Sequence, residues 1–233
     1  MRVKWIWPLL LVLMVTVLTA CSHVANSTAE TTIESGAPNE DLSVRAVAAH
    51  EAGKLVIQPA SHATVEQLGA PSCWGLETDL RWTGDYEAVW EPINGGEASI
   101  LMTFPGQLEM IEPTDETIDL QKVTIGDTDL FAYYPRYTDC HALEAYLFGV
   151  KDGQAFPIKA EAWDGHGMMD TITQHPHYPL QVTGNELVVT GGQGAGQDFI
   201  NVYHYQYDSE QQVLKLNKTD QVSPEDLMQA NNP

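Results

Sequence analysis

The chain has 233 residues and a formal net charge of −21 at pH 7, from 32 Asp plus Glu against 11 Lys plus Arg. Its 43% of hydrophobic residues can fill one ordinary core, which excludes a disordered polyelectrolyte. The acidic balance excludes a nucleic-acid partner, because neutralising phosphates requires clustered Lys and Arg. Only the N-terminus is apolar for long enough to meet a bilayer, which excludes a multi-pass membrane protein.

Residues 1–20 have the parts of a secretory signal peptide. Arg2 and Lys4 supply the positive start, and residues 5–18 form an uncharged, mostly apolar stretch. This stretch is shorter than the roughly 20 residues that a helix needs to cross the hydrocarbon core. The pattern therefore predicts a signal peptide rather than a permanent membrane span.

Leu18, Thr19, Ala20 and Cys21 follow the apolar stretch directly. They resemble the lipobox of bacterial lipoproteins, in which an aliphatic residue and two small residues precede the Cys that becomes the new N-terminus. The resemblance implies a diacylglyceryl group on the Cys21 sulfur and cleavage between Ala20 and Cys21. Two acyl chains make a stable anchor, since each buried CH₂ contributes about 0.8 kcal/mol. The alternative is an uncleaved signal anchor.

The predicted anchor places the protein on the cell membrane, facing outside the cytoplasm, with the lipid as its contact to the membrane. Loss of residues 1–20 removes two cations and no acids, so the formal charge becomes −23. Residues 21–53 comprise the lipidated Cys and a stretch rich in small and polar residues, which predicts a flexible linker. A short helix over residues 42–50 is the alternative. The sequence identifies neither a ligand nor a protein partner.

Two further cysteines, Cys73 and Cys140, remain once Cys21 is lipidated. An oxidising compartment permits a disulfide, and two cysteines allow a single intramolecular pairing. Closing a loop of about 70 residues would stabilise the fold by about 4 kcal/mol in the chain-entropy model. The alternative is two separate buried thiols. Neither Cys lies in a CxxC pair, so the spacing does not indicate zinc.

Residues 54–220 are predicted to form an antiparallel β domain, followed by a polar tail at 221–233. Runs of alternating apolar residues are separated by turn pairs, the clearest being Asp152-Gly153 and Gly184-Asn185. The connections are too short for parallel crossovers. The predicted fold is mainly β, a sandwich or a curled meander of antiparallel sheets with little helix. Two short helical segments are expected, one turn at residues 64–68 and a terminal helix capped by Ser223.

Two histidines give a weak metal-binding candidate. His175 and His177 are two residues apart, and Asp164 and His166 lie nearby in the irregular stretch 163–179. In an extended segment the two His side chains would point to one side and could share a divalent cation with a carboxylate. The alternative is a solvent-facing loop. No other cofactor is predicted.

Aromatic residues give a candidate for ligand stacking. Tyr203, Tyr205 and Tyr207 alternate along one face of a predicted strand, where they could stack on sugar rings or a peptide. The alternative is ordinary packing against neighbouring strands. A second aromatic group comprises Trp74, Trp82, Tyr86 and Trp90.

An acidic stretch and a glycine loop offer two further candidates. The acidic stretch contains Glu109, Glu112, Asp115, Glu116 and Asp119. Its carboxylates could bind Ca²⁺, and the alternative is a solvent-exposed acidic face. The glycine loop at residues 191–196 lacks the Lys-Ser/Thr pair of a phosphate-binding loop, which favours a simple link between strands.

No catalytic motif is present, which favours a non-enzymatic ligand-binding or envelope-support module and leaves an enzyme open. Residues 146–153 (YLFGVKDG) and 191–198 (GGQGAGQD) resemble uncharacterised lipoproteins of Gram-positive bacteria, a likeness that implies no activity. One alternative is an extracytoplasmic hydrolase acting on cell wall or polysaccharide. The other is an inhibitor or immunity lipoprotein that acts by protein contact.

Overall fold

The computed structural model describes residues 38–138 and 140–230, which form seventeen strands and one helix. The predicted mainly β fold with little helix is confirmed. The predicted signal peptide, the lipobox-like residues 18–21 and the predicted linker up to residue 37 lie outside the described residues. Within the described residues, no helix is long and apolar enough to cross a membrane.

The first sheet has seven strands, ordered β5-β4-β3-β2-β7, with β1 beside β3 and β6 beside β4. Its pairs are antiparallel except for β2 and β7, which are parallel. Its strands are β1 (Asn39–Glu40), β2 (Ala46–His50), β3 (Gly53–Gln67), β4 (Leu80–Pro92), β5 (Ser99–Thr103), β6 (Leu108–Glu112) and β7 (Ile118–Asp119).

The second sheet has ten strands, ordered β14-β15-β16-β17-β11-β10-β9-β8, with β12 beside β11 and β13 beside β10. Its one parallel pair joins β11 and β17. Its strands are β8 (Gln121–Ile125), β9 (Thr128–Tyr133), β10 (Leu143–Lys151), β11 (Gln154–Glu161), β12 (Met168–Met169), β13 (Thr171–Gln174), β14 (Gln181–Thr183), β15 (Glu186–Thr190), β16 (Ile200–Asp208) and β17 (Val213–Val222).

The turn residues produce the predicted hairpins. Asp152 and Gly153 have φ angles of 50° and 76°, which suit the two-residue turn between β10 and β11. Gly184, with φ 65°, occupies the first position of the two-residue turn between β14 and β15. The predicted terminal helix is α1 (Pro224–Ala230), and the Ser223 hydroxyl accepts a hydrogen bond from the Asp226 N–H at 3.1 Å.

The N-terminal part of the fold begins earlier than the sequence predicts. The sequence predicts a linker up to residue 53, or a helix over residues 42–50, yet Ala46–His50 forms strand β2. Ala46 and Ala48 are buried because β2 pairs with β3 and covers the core. The helical turn expected at residues 64–68 is also wrong, since Val65 lies in β3 opposite Trp82. Pairing with a long neighbouring strand outweighs these local preferences.

Strands β9 and β10 are buried on both faces. Alternate side chains of a strand point to opposite sides, so each strand contributes to two cores. The first core, shared with the first sheet, contains Phe131, Tyr133, Tyr146 and Phe148. The second core, shared with β13, β15 and β16, contains Leu130, Ala132, Ala145 and Leu147. The continuous apolar runs of these strands are the sequence counterpart of this two-sided burial.

We expect Leu147→Ala and Phe148→Ala each to lower the free energy of unfolding by about 2–5 kcal/mol, because both side chains are removed from packed cores. Urea denaturation of the purified variants measures this. Gln206→Ala is the control, since Gln206 is exposed beside the buried Tyr205 and its loss should change stability by less than about 0.5 kcal/mol. A near-neutral effect at either Leu147 or Phe148 would contradict two-sided burial.

Candidate binding cleft

A cleft of about 580 Å³ opens at one end of the β9–β10 hairpin. One wall is the first loop, residues 68–79, which connects β3 to β4. The opposite wall is the second loop, residues 134–138 and 140–142, which connects β9 to β10. The end of β6 supplies the base. The volume lies within the range of about 300–1,000 Å³ that is usual for small-molecule sites.

A disulfide joins the two walls. Cys73 of the first loop is bonded to Cys140 of the second loop, 67 residues further along the chain. The predicted pairing is therefore confirmed, and its expected contribution stays about 4 kcal/mol by loop-closure entropy. Because the first loop belongs to one sheet and the second loop to the other, the bond also ties the two sheets together at the cleft.

Internal hydrogen bonds shape the first loop. The Leu68 N–H donates to the Asp79 carbonyl at 2.8 Å, and the Leu76 N–H donates to the Asp79 carboxylate at 2.8 Å. A Cβ added at Gly75 would lie 2.5 Å from Asp79 Oδ2, so any larger residue there would displace the Asp79 carboxylate. The bonds and the glycine hold the Asp79 side chain at the cleft wall.

Charged side chains form an ion-pair ladder beside the cleft. The Arg136 guanidinium is 2.9 Å from the Glu109 carboxylate and 3.2 Å from that of Glu144. Arg81 also pairs with Glu109 and with Glu66. Arg136 is the one basic residue among the described residues that line the cleft, and both of its partners are acids. The ladder therefore fixes the second loop to β6 and β10 and satisfies the charge of Arg136.

Glu112 is the unusual side chain of the cleft. It ends β6 on the same face as Leu108 and Met110, which are core residues, so strand alternation turns its carboxyl toward the interior. Burial raises the pKa of Glu112 to about 7, and the negative charge of Asp79 adds to the rise while Arg45 opposes it. The carboxyl is therefore close to half ionised at neutral pH.

Apolar and aromatic side chains surround these carboxyls. Trp74 is 39% exposed and Leu76 is 65% exposed, although both are large hydrophobic residues. Tyr134 and Tyr137 line the opposite wall. The lining is therefore mixed, with apolar and aromatic side chains beside two acids and one arginine. Apolar walls that carry a small number of polar groups are a feature of sites for small ligands.

No protein family, curated protein or solved structure matches this sequence.

The metal candidate does not assemble. The His175 and His177 rings are 5.6 Å apart, and His175 Nδ1 accepts a hydrogen bond from the His177 N–H at 3.2 Å. Burial, together with the nearby His177 and His141, lowers the pKa of His175. Asp164 and His166 lie in the turn before β12, where the His166 N–H donates to the Asp164 carboxylate. Among residues 38–138 and 140–230, no group of three or more His, Cys, Asp or Glu side chains could hold a metal ion.

The tyrosine face of β16 is packing surface. Tyr205 and Tyr207 are 2% and 3% exposed in the second core, and Tyr203 packs against the same core. Burial leaves Tyr205 and Tyr207 with almost no exposed surface for ligand stacking, although Tyr205 borders a small hollow. A hollow of about 130 Å³ lies beside Tyr203 and the exposed Trp163, below the usual size of a small-molecule site.

The other candidates from the sequence separate in the same way. Trp82, Tyr86 and Trp90 are buried core residues, whereas Trp74 lines the cleft. The glycine loop packs on the second loop, because a Cβ at Gly192 would lie 2.6 Å from Ala142 Cβ. The acidic residues do not form one cluster. Glu109 is in ion pairs, the carbonyls of Asp115 and Glu116 accept hydrogen bonds from Arg45, and Glu112 lines the cleft.

Sequence reasoning did not single out Asp79 or Arg136 as site residues. The signal for the cleft was present in the alternation of β6, where Glu112 occupies the position that should hold a third buried apolar side chain. The disulfide supplies the second signal. Trp74 is close in sequence to Cys73 and Tyr137 is close to Cys140, so the bond brings both aromatic residues to the cleft.

We expect Glu112→Gln to stabilise the protein at pH 8 by on the order of 1–2 kcal/mol, allowing for partial exposure of the group. The folded-state pKa of about 7 exceeds the ordinary 4.5, so the folded state binds more protons between these pH values. The stability contribution of Glu112 is therefore full below pH 4.5 and is lost as the pH rises through 7. Gln stays neutral and avoids that loss.

Denaturation curves at pH 5 and pH 8 test this prediction. The stabilisation by Glu112→Gln should be clear at pH 8 and small at pH 5. Glu77→Gln is the matched control, because Glu77 is an exposed acid of the first loop that does not line the cleft. An equal effect of Glu112→Gln at both pH values would contradict the raised pKa.

Proposed function

We propose that the protein is a lipid-anchored extracytoplasmic binding protein that takes a small ligand in the cleft between the first and second loops. The observation that carries this proposal is an open cleft of about 580 Å³, fastened by a disulfide, with a partly buried carboxyl at its base. A cleft of this size and composition suits a ligand much smaller than a protein domain.

The cellular location is supported by two independent features. The N-terminal sequence combines a positive start, an apolar stretch and the lipobox ending at Cys21. The Cys73–Cys140 disulfide fits an oxidising compartment, because cytoplasmic thiols are kept reduced. A chain of formal charge −23 after cleavage is repelled by anionic headgroups, so an acyl anchor is the physical means of holding it at the membrane.

A hydrolase is the second candidate, and one observation favours it. The Glu112 carboxyl has a pKa of about 7, which suits a general acid, and Asp79 supplies a second carboxylate in the same cleft. Release of new reducing ends from a cell-wall glycan, lost in Glu112→Gln, would transfer the assignment to this candidate. Binding of a glycan without its hydrolysis would support the assignment as a binding protein.

We expect Cys21→Ala to release the protein from the membrane, because the substitution removes the sulfur that would carry the acyl chains. Fractionation of expressing cells should find the unsubstituted protein in the membrane and the variant outside it or retained as precursor. Intact mass of the unsubstituted protein should show loss of residues 1–20 and an added lipid. A soluble cytosolic protein with an unmodified Cys21 would refute the anchor.

We expect Trp74→Ala combined with Leu76→Ala to reduce ligand-induced thermal stabilisation without unfolding the protein, because both side chains are exposed at the cleft. Thermal-shift measurements test soluble glycans, peptides, amines and divalent cations as ligands. The matched control is Ile93→Ala with Ile100→Ala, which removes exposed apolar residues away from the cleft. A ligand whose effect is equal in both double variants binds elsewhere and contradicts the proposed site.

A further inference from the structure

Within the described part of the chain, the Glu112 carboxyl has no direct partner, although the positive charge of Arg45 acts on it. No hydrogen bond or ion pair among residues 38–138 and 140–230 reaches its side chain. Glu109 of the same strand differs, because it pairs with Arg81 and Arg136. Partly buried carboxylates are normally paired or hydrogen-bonded, since burial without a partner disfavours the charged form. The base of the cleft thus holds a carboxyl that would form an ion pair with a bound cation.

Two guanidinium groups, that of Arg45 with an electrostatic effect on Glu112 and that of Arg136 in the same cleft, make their direct contacts with other residues. Arg45 is 4% exposed, stacks 3.9 Å over the Trp82 ring and donates to the carbonyls of Asp115 and Glu116. Arg136 is held between two carboxylates of the ion-pair ladder. Neither guanidinium forms an ion pair with Glu112.

The charge of the cleft therefore favours cations. Asp79 and Glu112 are its two acids, and the one basic residue that lines the described walls is already neutralised by acids outside the lining. An anionic ligand would meet two carboxyls and no available cation. A neutral ligand would leave the Glu112 charge without a partner above pH 7.

The cleft walls suit the carbon chain of such a ligand. Trp74 and Leu76 present apolar surface at the opening, and Tyr137 adds a second aromatic ring. Aromatic faces attract ammonium groups, and alkyl chains lose unfavourable contact with water against apolar walls.

We propose that the cleft binds a ligand carrying a protonated primary amine, with the ammonium on Glu112 and the alkyl chain along Trp74 and Leu76. This assignment rests on the proposed function, since it names the ligand chemistry of the same cleft. A free alkyl amine and the side chain of lysine share this chemistry.

Calorimetric titration of the full-length protein in detergent micelles tests the proposal, with cadaverine as the probe. At pH 8 and 0.15 M salt, where screening limits general attraction to an acidic chain, we expect cadaverine to bind. We expect 1,5-pentanediol, which has the same chain length without charge, to bind at least about tenfold more weakly.

Glu112→Gln should weaken cadaverine binding by about tenfold or more, because it removes the carboxylate partner. Glu77→Gln removes one negative charge from the first loop and should leave the affinity for cadaverine within about twofold. Equal affinities for cadaverine and pentanediol, or equal losses in the two variants, would overturn the proposal.

The pH dependence gives a readout that general structural damage would not reproduce. Cadaverine binding should weaken about tenfold from pH 8 to pH 6 as the Glu112 carboxyl takes up a proton. Glu112→Gln should remove this dependence. The groups that act electrostatically on Glu112 are Arg45, Asp79 and Tyr133, and the cleft lining adds Tyr134, Arg136 and Tyr137. None of these is a His, the type that ordinarily titrates in this range.

A second probe distinguishes the source of the amine. Tighter binding of Nα-acetyl-lysine amide than of cadaverine would assign the cleft to a lysine side chain, and the reverse would assign it to a free amine. If an uncharged ligand binds and is lost in the Trp74→Ala, Leu76→Ala variant while cadaverine fails to bind, the amine assignment fails and the proposed function stands. If neither binds at the cleft, both fail.

Discussion

The two-sided burial of the β9–β10 hairpin is the constraint on which the rest of the structure depends. Phe148 packs into the core shared with the first sheet, and its neighbour Leu147 packs into the core of the second. A strand whose alternate side chains all enter packed cores cannot slip by one residue without exchanging the two sets. The side chains of the hairpin therefore join the two cores, and residues 38–138 and 140–230 form one packed structure.

The cleft is a consequence of where this hairpin ends. Beyond Tyr133 the chain leaves the sheet, and the second loop must be held by other means. The Cys73–Cys140 disulfide ties it to the first loop, and Arg136 ties it to Glu109 and Glu144. Covalent and ionic contacts replace hydrophobic packing at this end, so the walls stay in place without filling the space between them.

Glu112 shows how the fold sacrifices stability at this position. Its strand alternation calls for an apolar side chain, and the neighbours Leu108 and Met110 follow that rule. The chain instead places a carboxyl there, and burial raises its pKa to about 7. Groups held in unfavourable surroundings are typical of functional sites, where stability is given up for binding or chemistry.

The sequence alone determined the features that depend on near neighbours. Alternation and turn pairs such as Asp152-Gly153 predicted the strands and hairpins, and two leftover cysteines predicted one disulfide, because each signal is local or a matter of counting. Only the tertiary structure decided that β2 joins the first sheet, that Tyr205 faces a core, and that Asp79, Glu112 and Arg136 share one cleft. These outcomes depend on which strands meet across long separations in the chain, and alternation specifies two faces without specifying what covers either.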